Sequence, residues 1–192
     1  MDWGLLLALV SGVAIAAACG LRAFLPLFVV GLAARNGFLS LGSGSQWLTS
    51  DQALWALGVA TVLEIAGDKI PIVDHALDAI GTVLRPAAAW VGGFALLHGW
   101  GEPWAGLLSL VLGVGAFAVN AAKAKARLGS TAVTLGHANP ALSVAEDATS
   151  LGLLAAAILA PLAALVLVVL LVWLVQRAFR PRLTARTEPP AA

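Results

Sequence analysis

The chain has 192 residues, 60% of them hydrophobic and 11% charged, with a formal net charge of +1, whereas soluble domains carry about 25% charged residues. That composition predicts an integral membrane protein: an all-α, polytopic transmembrane helix bundle of about five spans, some broken or short, with the lipid bilayer as its main partner. Near-neutral charge with no basic stretch interleaved with aromatics argues against a nucleic-acid partner, and the lone Cys19 excludes an intrachain disulfide or a cysteine-based zinc site.

The first apolar stretch, Gly4 to Ala34, is longer than one perpendicular span, and its middle carries Gly20-Leu21-Arg22 followed by Pro26. It predicts one kinked helix or two half-helices meeting near Arg22. Ala16 to Cys19 loosely resembles a lipoprotein signal, but Met1-Asp2-Trp3 lacks the positive flank, so this helix is expected to be retained. Arg35-Asn36-Gly37 ends the stretch, and the Gly- and Ser-rich residues 40–50 read as a loop. Trp47 and Trp55 then bracket an interface.

A second span, about 53–67, runs into a cluster of charge: Glu64, Asp68, Lys69, Asp74, Asp78 and Arg85. Ionisable groups at membrane depth cost about 2.5–3.5 kcal/mol each, so such a cluster persists when its members pair, line water or bind something. Pro71 forces its predecessor out of helical geometry and suits the first position of a short helix to Leu84. A third span, 86–97, closes at the turn from Trp100 to Trp104. The fourth, about 105–120, is expected to continue through Lys123, Lys125 and Arg127 until Gly129 stops it. Residues 129–140 are polar and broken, after which Ser143, Glu146, Asp147 and Ser150 share one helix face. Ser143 and Glu146 have capping-box spacing and are expected to start the last helix, leaving Asp147 unexplained. A last span over 151–176 completes a single transmembrane domain, 1–178, before a flexible basic tail, 179–192.

Five crossings would bring the segments 64–85 and 123–147 to one membrane face. There the acids Glu64, Asp68, Asp74, Asp78, Glu146 and Asp147 balance the bases Arg22, Lys69, Arg85, Lys123, Lys125 and Arg127, as a half-buried polar network requires. Arg22 lies too deep to snorkel, so a carboxylate partner is expected, Glu64 or Asp68 first. Asp74 and Asp78, one helical turn apart, are candidate ligands for a divalent metal cation, or with Glu64 and Asp68 a proton relay; the plainer alternative is an amphipathic interfacial helix whose acids pair with Lys69 and Arg85. Lys123 and Arg127 with Ser130 and Thr131 suit an anionic headgroup or phosphate, or simple anchoring at the membrane surface. His75, His98 and His137 have no metal-binding spacing. With Arg177, Arg180, Arg182 and Arg186 beside the last span, the positive-inside rule places the C-terminus in the cytoplasm and the network toward the outer face.

These residues carry a family resemblance. Gly20 to Leu27 (GLRAFLPL), Asp68 to Ala88 (DKIPIVDHALDAIGTVLRPAA), and the set Lys123, Arg127, Ser130, Thr131, Asn139, Pro140, Ser143, Glu146 and Asp147 resemble a bacterial membrane family, the domain of unknown function 4126. The resemblance implies that the polar stretches are the functional core and implies no substrate. The function expected from the residues is a transporter or channel-like protein of the bacterial cytoplasmic membrane, working as a homo-oligomer. It would bind or move an ion or small charged solute, with a divalent cation or proton coupling, using helix breaks near the charges. The alternatives are an intramembrane magnesium-dependent transferase acting on a lipid phosphate, and a non-catalytic assembly protein whose polar network sets helix register.

Overall fold

Small residues dominate the second half of the first helix, and that half, buried on all sides, becomes the axis of the bundle. The computed structural model describes residues 2–135 and 137–179; the side chains of 71, 72, 74, 75, 175, 178 and 179 lie outside that description. Among the described residues there are seven α-helices: α1 (Trp3–Leu21), α2 (Phe24–Arg35), α3 (Asp51–Gly67), α4 (Pro71–Leu96), α5 (Glu102–Thr134), α6 (Asn139–Leu159) and α7 (Pro161–Phe179). Short 3-10 turns occupy Ser43–Thr49 and Leu97–Trp100. The buried part of α1 is Ser11, Gly12 and the unbroken run from Ala14 to Leu21, and α4, α5, α6 and α7 all pack against the helix. In lipid, helices associate through close packing, which small residues permit. At Gly20 a Cβ would lie 2.6 Å from Val119 Cβ and 2.7 Å from the Ala116 carbonyl oxygen. Only glycine fits there.

Each connection reverses the chain. Trp100 Nε1 donates to the Leu5 carbonyl at 3.4 Å, and the Gly42 amide donates to the Ala95 carbonyl at 3.1 Å. The start of α1, the loop after α2 and the end of α4 therefore share one end of the bundle, which also holds Trp100 and, one turn into α5, Trp104. The other end collects most of the charged residues, while Arg35 pairs with Asp51 at the tryptophan end. Among the described residues four helical segments are long and apolar enough to cross a membrane: Trp3–Leu21, Ala76–Trp100, Glu102–Thr134 and Asn139–Leu159. Phe24–Arg35 and Pro161–Leu174 are shorter apolar helices.

The first stretch does break near Arg22, but not into two half-helices: α1 is long enough to cross a membrane by itself and ends at Leu21, Arg22 and Ala23 break the chain, and the shorter α2 runs back. Four further expectations are corrected. Residues 71–84 and 86–97 are not separate elements, because α4 passes through Pro86 without ending; a membrane helix tolerates proline where neighbours re-satisfy the freed backbone. Gly129 does not stop α5, since an internal glycine costs only about 1 kcal/mol; the helix ends after Thr134, where Leu135 adopts a left-handed conformation at φ 54°. Ser143 is no cap, because Pro140 already sits in the first turn of α6 and places Ser143 inside it. The expected span 151–176 is two antiparallel helices broken at Ala160 and Pro161, with Leu171 and Leu174 of α7 lining a cavity alongside Ala148 and Thr149 of α6. Arg177 therefore lies at the charged end, not opposite it. The proposed tail, 179–192, falls outside the described residues from 180 onward.

Candidate functional site

Six parts of the fold bring polar and charged side chains to one place. Arg22 sits at the break between α1 and α2, Glu64 on the last turns of α3, Asp68 in the α3–α4 turn, Asp78 and Arg85 on α4, Asn120, Lys123 and Arg127 on α5, and Ser143, Glu146 and Asp147 on α6. The breaks place these side chains: with α1 ended, Arg22 leaves the helix axis and enters the gap between α3, α5 and α6.

Asp68 is the hub. Its Oδ2 accepts from Arg22 Nη1, from Arg127 Nη2 at 2.9 Å and from Ser143 Oγ at 3.4 Å, with Lys123 Nζ 4.0 Å away. Arg22 Nη2 also donates to Ser143 Oγ at 3.0 Å, and Arg22 Nε lies 2.7 Å from Asp147 Oδ1, a close ion pair outside hydrogen-bond geometry. Burial raises the Asp68 carboxyl, but Lys123, Arg22 and Arg127 together hold it below its ordinary value of 3.8. It stays an anion.

Lys123 Nζ lies 3.1 Å from Glu146 Oε2 and 3.6 Å from Asp78 Oδ1, and donates to the Leu21 carbonyl at 3.4 Å. Arg127 grips Glu146 in fork fashion, Nε to Oε1 at 3.2 Å and Nη2 to Oε2 at 2.8 Å, and also reaches Asp78 at 3.9 Å. Arg85 donates to Asn120 Oδ1 and, at 3.2 Å, to Asp78 Oδ1. Side-chain exposure falls from 25% at Asp78, 18% at Asp147 and 12% at Glu146 to 1% at Lys123 and none at Arg22 or Asp68. The cluster has a wet rim and a dry floor. Counted along α5 at 1.5 Å per residue, Lys123 is about 28 Å from Trp104, near the far boundary of a hydrocarbon layer about 30 Å thick.

Glu64 behaves otherwise than expected. Its carboxylate accepts from the Ala23 amide at 2.8 Å and the Phe24 amide at 3.1 Å, so it satisfies the start of α2 and leaves Arg22 to Asp68. Lys69 is exposed and donates to the Ile65 carbonyl at 3.1 Å, apart from the cluster. Thr131 Oγ1 accepts from Asn139 Nδ2 at 3.0 Å, while Ser130 Oγ and Asn139 Oδ1 are buried without a hydrogen-bond partner. The Asp74 side chain lies outside the described residues, and Asp78 is surrounded by Arg85, Lys123 and Arg127. No group of three or more His, Cys, Asp or Glu among the described residues is placed to hold a metal ion. Sequence reasoning missed Asn120, although it lies at i−3 from Lys123 and i−7 from Arg127, on the same face of α5. It also assigned Ser143 to capping instead of Arg22.

The domain of unknown function DUF4126 matches residues 9–181, nearly the whole chain. The chain belongs to the DUF4126 family. No curated protein and no solved structure matches it. Within this DUF4126 protein, the stretches GLRAFLPL and DKIPIVDHALDAIGTVLRPAA supply Arg22, Asp68, Asp78 and Arg85, which the fold joins to Lys123, Arg127, Glu146 and Asp147.

Proposed function

We propose that this multi-pass membrane protein is a small carrier or channel-like protein that binds or moves an ion or small charged solute through the cluster around Asp68. One observation carries the reading: Asp68, Lys123 and Arg127 each lie within 4.0 Å of two or more oppositely charged partners. Groups with alternative partners can exchange them when another charge enters, without any of them being left alone in low dielectric. The break between α1 and α2 beside Arg22 adds support, because discontinuous helices next to charges mark transporter sites.

The charged end carries Lys69, Lys125 and Arg177, and the tryptophan end carries Arg35, so the positive-inside rule favours a cytoplasmic charged end. This reverses the orientation expected of the network and keeps the C-terminal side in the cytoplasm. The bacterial cytoplasmic membrane and a homo-oligomeric state belong to the same proposal. The test is flux of protons, divalent metals and small anions into proteoliposomes. Saturable flux that Asp68→Asn abolishes supports the reading; no flux of any of these species refutes it.

A second reading, a register-setting assembly protein, is favoured by a different observation. The cluster charges are paired within the protein, and the cavities of 560 Å³ between α2 and α3 and of 510 Å³ between α4 and α5 lie away from them. The magnesium-transferase alternative loses support, since Glu146 and Asp147, its second acidic pair, face Arg127, Lys123 and Arg22.

A further inference from the structure

Four bases hold the cluster together, and three of them are arginines, which keep their proton under all physiological conditions. Lys123 is the fourth, and the one base there able to release a proton. The groups within 4.0 Å of its Nζ come from several elements: the Leu21 carbonyl at the end of α1, Asp68 in the α3–α4 turn, Asp78 on α4 and Glu146 on α6, while Arg22, Arg85 and Arg127 stand one carboxylate away, on Asp68, Asp78 and Glu146. The nearest acceptor is Glu146 Oε2, at 3.1 Å, within reach for direct proton transfer. Asp68 is the less suitable acceptor, because its Oδ2 lies 4.0 Å from Nζ, beyond hydrogen-bond reach, and already accepts from Arg22, Arg127 and Ser143.

The exposure gradient gives this pair a direction. Glu146 and Asp78 touch solvent at the rim, whereas Lys123 is 1% exposed. Behind it, toward the tryptophan end, the bundle is closed by the packed residues Ala14, Ile15, Ala18, Ala89 and Ala116. We propose that Lys123 and Glu146 form a proton-exchange pair open to water at the charged end and sealed from the other side, so that the ion the protein binds or moves is a proton. In the transfer an N–H bond of the Lys123 ammonium breaks and an O–H bond forms on Glu146. The ammonium becomes an amine, the carboxylate a carboxylic acid, and the pair stays neutral in sum. Glu146 then releases that proton to water at the rim, and the Lys123 amine takes its replacement from water that reaches it from the tryptophan end when the packing of Ala18, Ala89 and Ala116 opens. The three arginines and Asp68 hold the frame throughout.

This inference rests on the carrier reading, and the experiment separates the two. Full-length protein is reconstituted into liposomes enclosing a pH-sensitive dye, and a potassium diffusion potential drives proton entry. The native chain is expected to acidify the lumen, and Lys123→Arg, which keeps the positive charge but cannot release its proton, to lower the rate about tenfold or more. Lys123→Arg conducting at the native rate overturns the proposal. Proton-silent native protein that moves another ion or solute overturns the proton while sparing the carrier; silence toward every species overturns both. A second measurement does not depend on whether Lys123→Arg folds. The chain has three lysines, Lys69, Lys123 and Lys125, so Lys69→Arg with Lys125→Arg leaves Lys123 alone for carbon-13 labelling. Its Cε resonance is expected to titrate over the pH range in which flux turns on, and Glu146→Gln to displace that range. A resonance that stays still across it overturns the proposal.

Discussion

Arg22 and Asp68, 46 positions apart in sequence, form an ion pair with both side chains wholly removed from solvent. Breaking a buried pair by removing one partner costs about 3–5 kcal/mol, because the other charge is left uncompensated. Asp68→Ala is expected to fall in that range by denaturation in detergent micelles. Arg22→Gln combined with Asp68→Asn is expected to be less destabilised than the sum of the single changes, with a coupling of about 0.5–3 kcal/mol. Full additivity would mean that the two do not interact.

Glu64 serves the backbone, so its replacement has a different signature. Glu64→Gln keeps an oxygen for Ala23 or Phe24 but removes the charge at the start of α2. The expected loss is about 0.5–2 kcal/mol, the range of helix capping and dipole effects, with the Arg22 pairing intact. A loss equal to that of Asp68→Ala would place Glu64 in the ion network instead.

Two glycines on buried and open faces offer a matched comparison. Gly20→Ala drives a methyl into Val119 and the Ala116 carbonyl, and overpacking of this kind costs about 1–3 kcal/mol. Gly106 has nothing within 4 Å of its would-be Cβ, so Gly106→Ala is expected to be neutral or to stabilise by up to about 1 kcal/mol. Thermal melts of both variants decide the point.

The antiparallel turn between α6 and α7 predicts sidedness. In a Cys19→Ala background, Lys125→Cys and Arg177→Cys are expected to react with an impermeant thiol reagent from the same side of sealed vesicles. Ser40→Cys, in the loop after α2, is expected to react from the other. Labelling of Arg177→Cys and Ser40→Cys from one side would overturn this topology.

Acid should weaken the fold through Asp68. Its folded carboxyl is held below the ordinary 3.8, so its contribution is complete above that value and disappears as pH falls through the depressed one. Melts taken from neutral to strongly acid pH are expected to show the native chain losing stability, with the gap to Asp68→Asn closing toward the acid end. A gap constant with pH would remove Asp68 as the source.

Composition and the placement of Arg22, Asp68, Lys123 and Glu146 among apolar residues were enough to predict a membrane bundle with charge gathered at one face, because hydrophobic length and ionisable cost are read residue by residue. The shared face of Ser143, Glu146, Asp147 and Ser150 was equally legible, since helical period is local. Proline was the misleading signal: Pro86 looked like a boundary and lies within α4, while Pro161 looked passable and marks a break. Each outcome depends on what packs beside the freed backbone groups.

Partner choice is the part that lay beyond the amino-acid order. Glu64 and Asp68 stand one helical turn apart, and nothing local says which receives Arg22. The meeting of α1, α3 and α6 decides it, by turning the Ala23 and Phe24 amides toward Glu64 and the Arg22 side chain toward Asp68. In the same way the hairpin of α6 and α7 carried Arg177 to the charged end. An order of residues states which groups must avoid lipid; only the packed helices state where each one goes to do so.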